Sequence, residues 1–172
     1  MESPRTQSTV YVETTIFSYL TAHPSGNLVT AAHQRITAEW WRTAAIRHRL
    51  VSSAVVTREA RAGNASMAER RRVLLADIPL LEVTVEANDL ARALLTAGLL
   101  PADAGADALH VAVAAVNRVD YLATWNLRHL AGAVVRRRIE HALRWRGFDP
   151  PTLCTPEELL ADSPTAGDLD AS

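Results

Sequence analysis

The stretch ADALHVAVAAVNRVDYLATWNLRHL, residues 106–130, carries a helix, a strand and a polar turn in direct succession. Its alanine-rich beginning predicts a helix from about Ala102 to Val116, and the apolar density of that helix implies burial. The segment DYLAT, Asp120–Thr124, follows as a predicted strand. A buried helix that leads straight into a short strand is the unit from which a parallel sheet is built.

The same alternation runs through the rest of the chain. Further strands are predicted over Val10–Val12, Leu50–Val56, Pro79–Val85 and, at the edge, Thr152–Cys154. Helices or helical turns are predicted over Leu28–Arg47, Thr57–Ala62, Ser66–Ala76, Glu86–Ala97 and Arg136–Trp145. Strands alternating with helices imply right-handed crossovers, so the predicted fold class is α/β, a three-layer open, mostly parallel sheet flanked by helices.

Length and composition indicate a single intracellular domain. We expect one domain over residues 9–161, between a flexible N-terminus, residues 1–8, and a flexible C-terminal tail, residues 162–172. The formal net charge of -1 argues against a strongly basic nucleic-acid binder but leaves room for a local basic patch. A single cysteine, Cys154, suits a reducing cytosol, and no apolar run is long enough to span a bilayer. We therefore expect a cytoplasmic protein with no membrane partner.

Several polar residues fall where the predicted strands end. Glu13 ends the first strand, and Glu59 follows the second by a turn. Asp107 lies in the first turns of the buried helix, and Asn126 ends the fourth strand, after Thr124. Because ligands of an open parallel sheet bind beyond the carboxyl ends of its strands, we expect these side chains to share one crevice.

Three carboxylates so close together repel one another unless cations lie between them. Oxygen ligands of this kind suit Mg²⁺ or Mn²⁺, and a metal held by carboxylates can activate water and stabilise charge during phosphodiester cleavage. We therefore predict that Glu13, Glu59 and Asp107 are metal ligands. A simpler interpretation stays open, because a glutamate at a strand end is often solvated or a cap, and an aspartate at a helix start favours the helix dipole.

Other residues near these acids have more than one interpretation. His110, one turn after the helix acid, is either a ligand, a satisfied core histidine or support for the acid. His129 either faces the crevice or holds its own loop, and Asp103 either joins the site or is an exposed acid at a helix start. Trp40 and Trp41 either stack on bases or serve core and dimer contacts, which are the commoner roles of paired tryptophans on a helix.

These motifs resemble those of the PIN-domain family, in particular the VapC-type toxins of bacterial type II toxin–antitoxin pairs. The resemblance is carried by VYVETTIFS at residues 10–18, VSSAVVTREARAG at 51–63 and the stretch 106–130 quoted above. It covers about the whole chain apart from the termini. It implies a metal-dependent endoribonuclease that cleaves RNA with Mg²⁺ (or Mn²⁺) and is inhibited by a small antitoxin protein.

The resemblance also implies a role for individual residues. Glu13 takes the place of the family's usual first aspartate, Glu59 that of the middle glutamate, and Asp107 matches the acid of the Asp-Ala-Leu-His motif. Asn126 stands where many relatives place a fourth acid, and Thr124 matches the hydroxyl residue just before it. The five are therefore the expected catalytic residues, with the three acids as metal ligands.

Two departures from the family pattern favour a second hypothesis. Glu13 is one methylene longer than aspartate, and Asn126 supplies no charge, so the alternative is an attenuated PIN-like module that binds RNA or a partner protein without cutting. The basic runs Arg70–Arg72 and Arg136–Arg138 either hold an RNA backbone or are solvated helix faces. A homodimer is expected, because closed dimers are the commonest assembly. A dinucleotide-binding fold is disfavoured, since no Gly-rich loop follows the first strand.

Overall fold

A computed structural model describes residues 7–161 of the chain. Five strands form one sheet in the order β3-β2-β1-β4-β5, and every pairing between them is parallel. The strands are β1 (Thr9–Val12), β2 (Arg49–Ser53), β3 (Leu80–Leu81), β4 (Tyr121–Ala123) and β5 (Thr152–Cys154). The predicted α/β class is confirmed, and the sheet is wholly rather than mostly parallel over these residues.

Helices connect the strands and cover the sheet. They are α1 (Thr14–Thr21), α2 (Leu28–Arg47), α3 (Ala54–Glu59), α4 (Ala65–Leu75), α5 (Val85–Thr96), α6 (Gly105–Val116), α7 (Ala133–Trp145) and α8 (Pro156–Ala161), with a π-helical turn at Leu127–Ala131. From β1 the chain proceeds to β2 and β3 on one side, and then crosses back to β4 and β5 on the other. With right-handed crossovers this reversal places helices on both faces of the sheet.

The reversal of direction creates a crevice between β1 and β4. These two strands are neighbours in the centre of the sheet, with Tyr11 paired to Leu122 and Val12 to Ala123. Because the connections that leave them run to opposite sides, the carboxyl ends of β1 and β4 flank the topological switch point at which ligands of such sheets bind. The fold therefore predicts a site directly after Val12 and Ala123.

The core lies on both faces of β1. Val10, Tyr11 and Val12 are all fully buried, as expected for a central parallel strand covered by helices on each side. Trp40 is 1% exposed, and Trp41 packs against the core with its ring edge-on to Phe17. Both tryptophans thus have the core role considered above and do not face an open groove.

The predicted strand Leu50–Val56 was too long at its carboxyl end. Strand β2 stops at Ser53, because the Ser53 hydroxyl accepts a hydrogen bond from the Val55 backbone N–H (3.2 Å) and caps helix α3. Glu59 is the last residue of helix α3, which begins three residues before the predicted helical turn Thr57–Ala62. Valines 55 and 56 have high strand propensity, but the cap and tertiary packing override it.

The predicted strand Pro79–Val85 was also too long. Only Leu80–Leu81 pairs with β2, and the Thr84 hydroxyl accepts a hydrogen bond from the Ala87 N–H (3.1 Å) to begin helix α5. Helices α1 and α8 and the π-helical turn were not predicted at all.

The ends of the chain fall largely outside the described residues. The expected tail 162–172 and residues 1–6 of the expected N-terminal segment lie there, so the domain bounds stay a prediction. The described residues Gln7 and Ser8 contact the body: the Gln7 amide donates to the Ile46 carbonyl (3.0 Å), and the Ser8 carbonyl accepts from the Arg49 N–H (2.9 Å). None of the helices between residues 7 and 161 combines the length and the apolar character that crossing a membrane requires.

We expect Leu122→Ala to lower the free energy of unfolding by about 2–5 kcal/mol. The Leu122 side chain lies on the central strand β4 and is 0% exposed, so its truncation leaves a cavity in the core. Leu28→Ala is the matched control: the same atoms are removed from a side chain that is 87% exposed, and we expect a change below about 0.5 kcal/mol. Chemical denaturation of both variants measures the difference, and equal losses would contradict this description of the core.

Candidate metal centre

Glu13 lies at the topological switch point, between the end of β1 and the start of α1. It is only 4% exposed, and its backbone N–H donates to the Ala123 carbonyl across the sheet (3.2 Å). Its Oε2 accepts three hydrogen bonds, from the Thr15 N–H (3.1 Å), the Thr15 hydroxyl (2.5 Å) and the Thr124 hydroxyl (2.8 Å). A buried carboxylate requires such donors, since burying a charge without partners is very costly.

The other oxygen of Glu13 is differently placed. Among residues 7–161 no hydrogen bond reaches Oε1, and His110 Nε2 lies 3.9 Å from this oxygen. One oxygen of Glu13 is therefore fixed by the fold, while the second is directed towards the side chains that converge beside it.

Glu59 approaches from the end of helix α3. Its Oε2 accepts hydrogen bonds from the Thr14 hydroxyl (2.5 Å) and from His110 Nε2 (2.9 Å). Burial on its own raises the pKa of Glu59, but the hydrogen bonds from His110 and Thr14 and the charges of His110 and Arg58 outweigh burial, so the pKa lies below its usual value. Glu59 is accordingly a carboxylate at neutral pH.

His110 is fully buried on helix α6, and both of its ring nitrogens are engaged. Nε2 faces Glu59, and Nδ1 lies 2.8 Å from the Tyr11 hydroxyl, which in turn lies 2.6 Å from the Ser53 hydroxyl. Burial raises the pKa of Tyr11 far above its ordinary value, and the charges of Glu13 and Glu59 add to this against the opposing Ser53 hydrogen bond. The phenol therefore keeps its proton and can donate to Nδ1 when Nε2 carries the ring proton.

Asp107 occupies a neighbouring position in the first turn of helix α6. Its Oδ1 accepts from the Asn126 amide (3.0 Å), and its Oδ2 lies 2.8 Å from His129 Nδ1. The Asn126 side-chain oxygen Oδ1 accepts from the His129 backbone N–H (3.1 Å) and so begins the π-helical turn. The Asn126 N–H donates to the Thr124 hydroxyl (2.9 Å), which links this group to Glu13.

The structure thus sorts the expected site residues into two connected groups. Ligand atoms of Glu13, Glu59 and His110 all lie within 4.8 Å of one another, and Asp107 is not a member of that group. Ligand atoms around an octahedral Mg²⁺ or Mn²⁺ lie about 3 to 4 Å apart, because each sits roughly 2.1 Å from the ion. Two carboxylates and an imidazole at this spacing fit a divalent cation after small side-chain movements.

Several contributors to the site could not be recognised in the sequence. The Thr14 hydroxyl donates to Glu59, and the Thr15 hydroxyl donates to Glu13. The Tyr11 hydroxyl forms a hydrogen bond with the His110 ring on the side away from the carboxylates. The only signal was the pair of threonines directly after the strand-end glutamate. For His110 three roles were open, and the structure places the ring between two carboxylates with Nε2 towards them.

The expected basic runs are mostly engaged in contacts within the protein. Arg71 donates to the Ala60 and Ala62 carbonyls, Arg72 pairs with Glu69, Arg136 pairs with Glu158 and Arg138 donates to the Gly98 carbonyl. Within residues 7–161, the two exposed members of these runs without such a contact are Arg70 and Arg137. Four of the six arginines in these runs therefore have partners within the protein.

Comparison with solved structures finds the same architecture elsewhere. The chain is similar to a chain in the crystal structure of VapBC2 from Rickettsia felis bound to a DNA fragment from their promoter, with a TM-score of 0.54 and 13% sequence identity. The match covers 86% of this chain and 98% of that chain, and at this identity it shows a common fold. No protein-family model and no curated protein matches the sequence.

The lowered pKa of Glu59 makes the stability of the metal-free protein depend on pH. A carboxylate whose folded pKa lies below its ordinary value of 4.5 contributes stability that is fully present above that value and is lost as the pH falls through the folded pKa. Glu59→Gln can still accept the hydrogen bonds from Thr14 and His110 but cannot ionise. We therefore expect its free energy of unfolding, measured with chelator from pH 7 to pH 3, to fall less steeply than that of the wild type below about pH 4.5. Parallel profiles would contradict the ionised, hydrogen-bonded Glu59 described here.

Proposed function

We propose that the chain is a PIN-like, metal-dependent endoribonuclease that hydrolyses RNA phosphodiester bonds and serves as the toxin of a toxin–antitoxin pair. The observation that carries this proposal is the buried Glu13, whose Oε1 is directed towards Glu59 and His110 at the switch point of the sheet. The fold shared with a chain of the VapBC2 complex supports it, and so do the motifs described above.

In the proposed site, Glu13, Glu59 and Asp107 hold Mg²⁺ or Mn²⁺. Each Asp107 oxygen takes part in one hydrogen bond, which leaves a lone pair for a cation or for a water that such a cation keeps. Thr124 fixes the direction of Glu13, and Asn126 fixes that of Asp107. When bound, a divalent cation polarises water and offsets the negative charge that develops on the phosphate.

Charge explains why RNA could bind at this crevice only together with a cation. Glu13, Glu59 and Asp107 all present negative oxygens to the crevice, and an RNA phosphate is negative as well. Without a cation these groups repel the phosphate, so RNA would not approach the crevice closely. Arg70 and Arg137 are the members of the basic runs left free to contact an RNA backbone. Contacts between arginine and phosphate supply affinity without sequence preference.

The alternative is a PIN-like module that binds RNA or a partner protein without cutting it. The observation that favours it is Asn126, whose amide donates to Asp107 where a further carboxylate would add a metal ligand. A site with fewer charges binds a hard cation less tightly. Cleavage assays on the purified protein separate this alternative from the enzyme.

We further propose a small antitoxin protein as partner, a homodimer and a cytoplasmic location. The shared fold with a chain of VapBC2 supports the partner, and the frequency of closed dimers supports the assembly. Light scattering should give a mass near twice the 18.7 kDa of one chain. A mass of one chain at every concentration would contradict the dimer.

We expect Asp107→Asn to keep the fold and to lose metal-dependent RNA cleavage. The amide has the same volume, and its oxygen can still accept from Asn126, but it removes a full charge from a hard-cation site. The matched control is Asp103→Asn, the same change at an exposed aspartate four residues earlier, which should cleave like the wild type. Cleavage is compared with Mg²⁺, with Mn²⁺ and with chelator, next to thermal unfolding of each protein.

Two outcomes would overturn these assignments. Equal cleavage by Asp107→Asn and wild type would remove Asp107 from the site. A folded wild type that cuts none of a broad panel of RNAs in either metal would favour the binding module.

A further inference from the structure

We propose that His110 Nε2 is a direct metal ligand beside Glu13 and Glu59, and that the site therefore selects first-row transition-metal dications such as Mn²⁺ over Mg²⁺. The inference rests on the metal site of the proposed function, but not on the reaction. It adds one imidazole to a site that the proposed function describes with carboxylates only.

The position of the ring is the first argument. Nε2 lies 2.9 Å from Glu59 Oε2 and 3.9 Å from Glu13 Oε1, and the side chain is 1% exposed. It therefore reaches both carboxylates from the core, at the point where their oxygens converge. Glu13, 96% buried, has an oxygen in this space that accepts no hydrogen bond from residues 7–161, so the space holds an unused acceptor as well as the ring nitrogen.

The support behind the ring is the second argument. A histidine that binds metal through Nε2 must carry its proton on Nδ1 and donate it to an acceptor. The Tyr11 hydroxyl, 2.8 Å from Nδ1, can accept that proton by turning its own towards the Ser53 hydroxyl at 2.6 Å. The pair of hydroxyls thus accommodates either tautomer, and it fixes the plane of the ring in both.

The chemistry of the donor set then decides the metal. Mg²⁺ prefers oxygen ligands and near-ideal octahedral geometry, whereas imidazole suits transition metals. Among divalent ions the affinity of a mixed nitrogen and oxygen site rises from Mn²⁺ through Co²⁺ towards the later metals. We therefore expect Mg²⁺ to be the weakest of Mg²⁺, Mn²⁺ and Co²⁺ at this site.

The test is metal binding by the whole protein. Calorimetry measures the affinity for each metal, and pulsed electron paramagnetic resonance identifies the ligands of bound Mn²⁺. We expect Mn²⁺ to bind at least about tenfold more tightly than Mg²⁺, and its spectrum to show coupling to an imidazole nitrogen. His110→Asn, which keeps a polar group near Tyr11, should lose that coupling and bind Mn²⁺ at least about 10-fold more weakly, since even the loss of a residue that only supports a ligand typically costs that much. The matched control is His141→Asn, at an exposed histidine of helix α7, which should change neither quantity.

The wild-type spectrum keeps the inference falsifiable even if His110→Asn fails to fold. Bound Mn²⁺ without nitrogen coupling, or Mg²⁺ binding as tight as Mn²⁺, overturns it while leaving metal-dependent RNA cleavage intact. Conversely, nitrogen-coupled Mn²⁺ in a protein that cuts no RNA supports the inference and contradicts the proposed function. Failure of Mn²⁺, Co²⁺ and Mg²⁺ alike to bind overturns both.

Discussion

The centre of this structure is arranged around the buried carboxylate of Glu13, which must be surrounded by hydrogen-bond donors. A charge in the interior costs several kcal/mol unless donors surround it. Its donors come from two places, Thr15 at the start of α1 and Thr124 at the end of β4. The Thr15 hydroxyl also accepts a hydrogen bond from the Trp125 backbone N–H (2.8 Å). The Glu13 carboxylate and these hydroxyls therefore connect β1, α1 and the end of β4 in one unit.

This unit extends to both groups of the candidate site. Through the Thr124 hydroxyl it reaches Asn126, and through Asn126 it reaches Asp107 and His129. The indole of Trp125, stacked on His33 with ring centroids 4.0 Å apart, donates to the Thr37 hydroxyl and anchors the same segment to helix α2. The positions of the acids therefore follow from contacts that also hold the central strands to their helices.

The sequence predicted the architecture well where local pattern decides it. The bounds of Leu28–Arg47 and Thr152–Cys154 were predicted as observed, because a long helical period and flanking turn residues mark them. The strand ends at Ser53 and Leu81 were missed, since capping hydroxyls stop the strands inside segments of high strand propensity.

The site was less predictable, because its partners are distant in sequence. Strand ends indicated that Glu13 and Glu59 belong near one crevice, but the role of His110 depends on Glu59, which precedes it by 51 residues. Tyr11, which supports the ring, lies 99 residues before it. Periodicity describes one helix face at a time, so it placed His110 in the core without showing which groups the ring would meet there.

The length of the acid at position 13 bears on the directions that its two oxygens take. Asp, Asn, Ser and Thr are the preferred N-cap residues, so capping helix α1 does not by itself explain a longer acid. Glu13 caps the helix with Oε2 alone, which curls back to the Thr15 N–H, and the partial positive charge of the helix start stabilises the carboxylate there. Oε1 is thereby left without a structural partner among residues 7–161 and directed towards His110. An acid that served only to begin α1 would not need a second oxygen directed towards a buried histidine, and the metal site that we propose would give that oxygen a role.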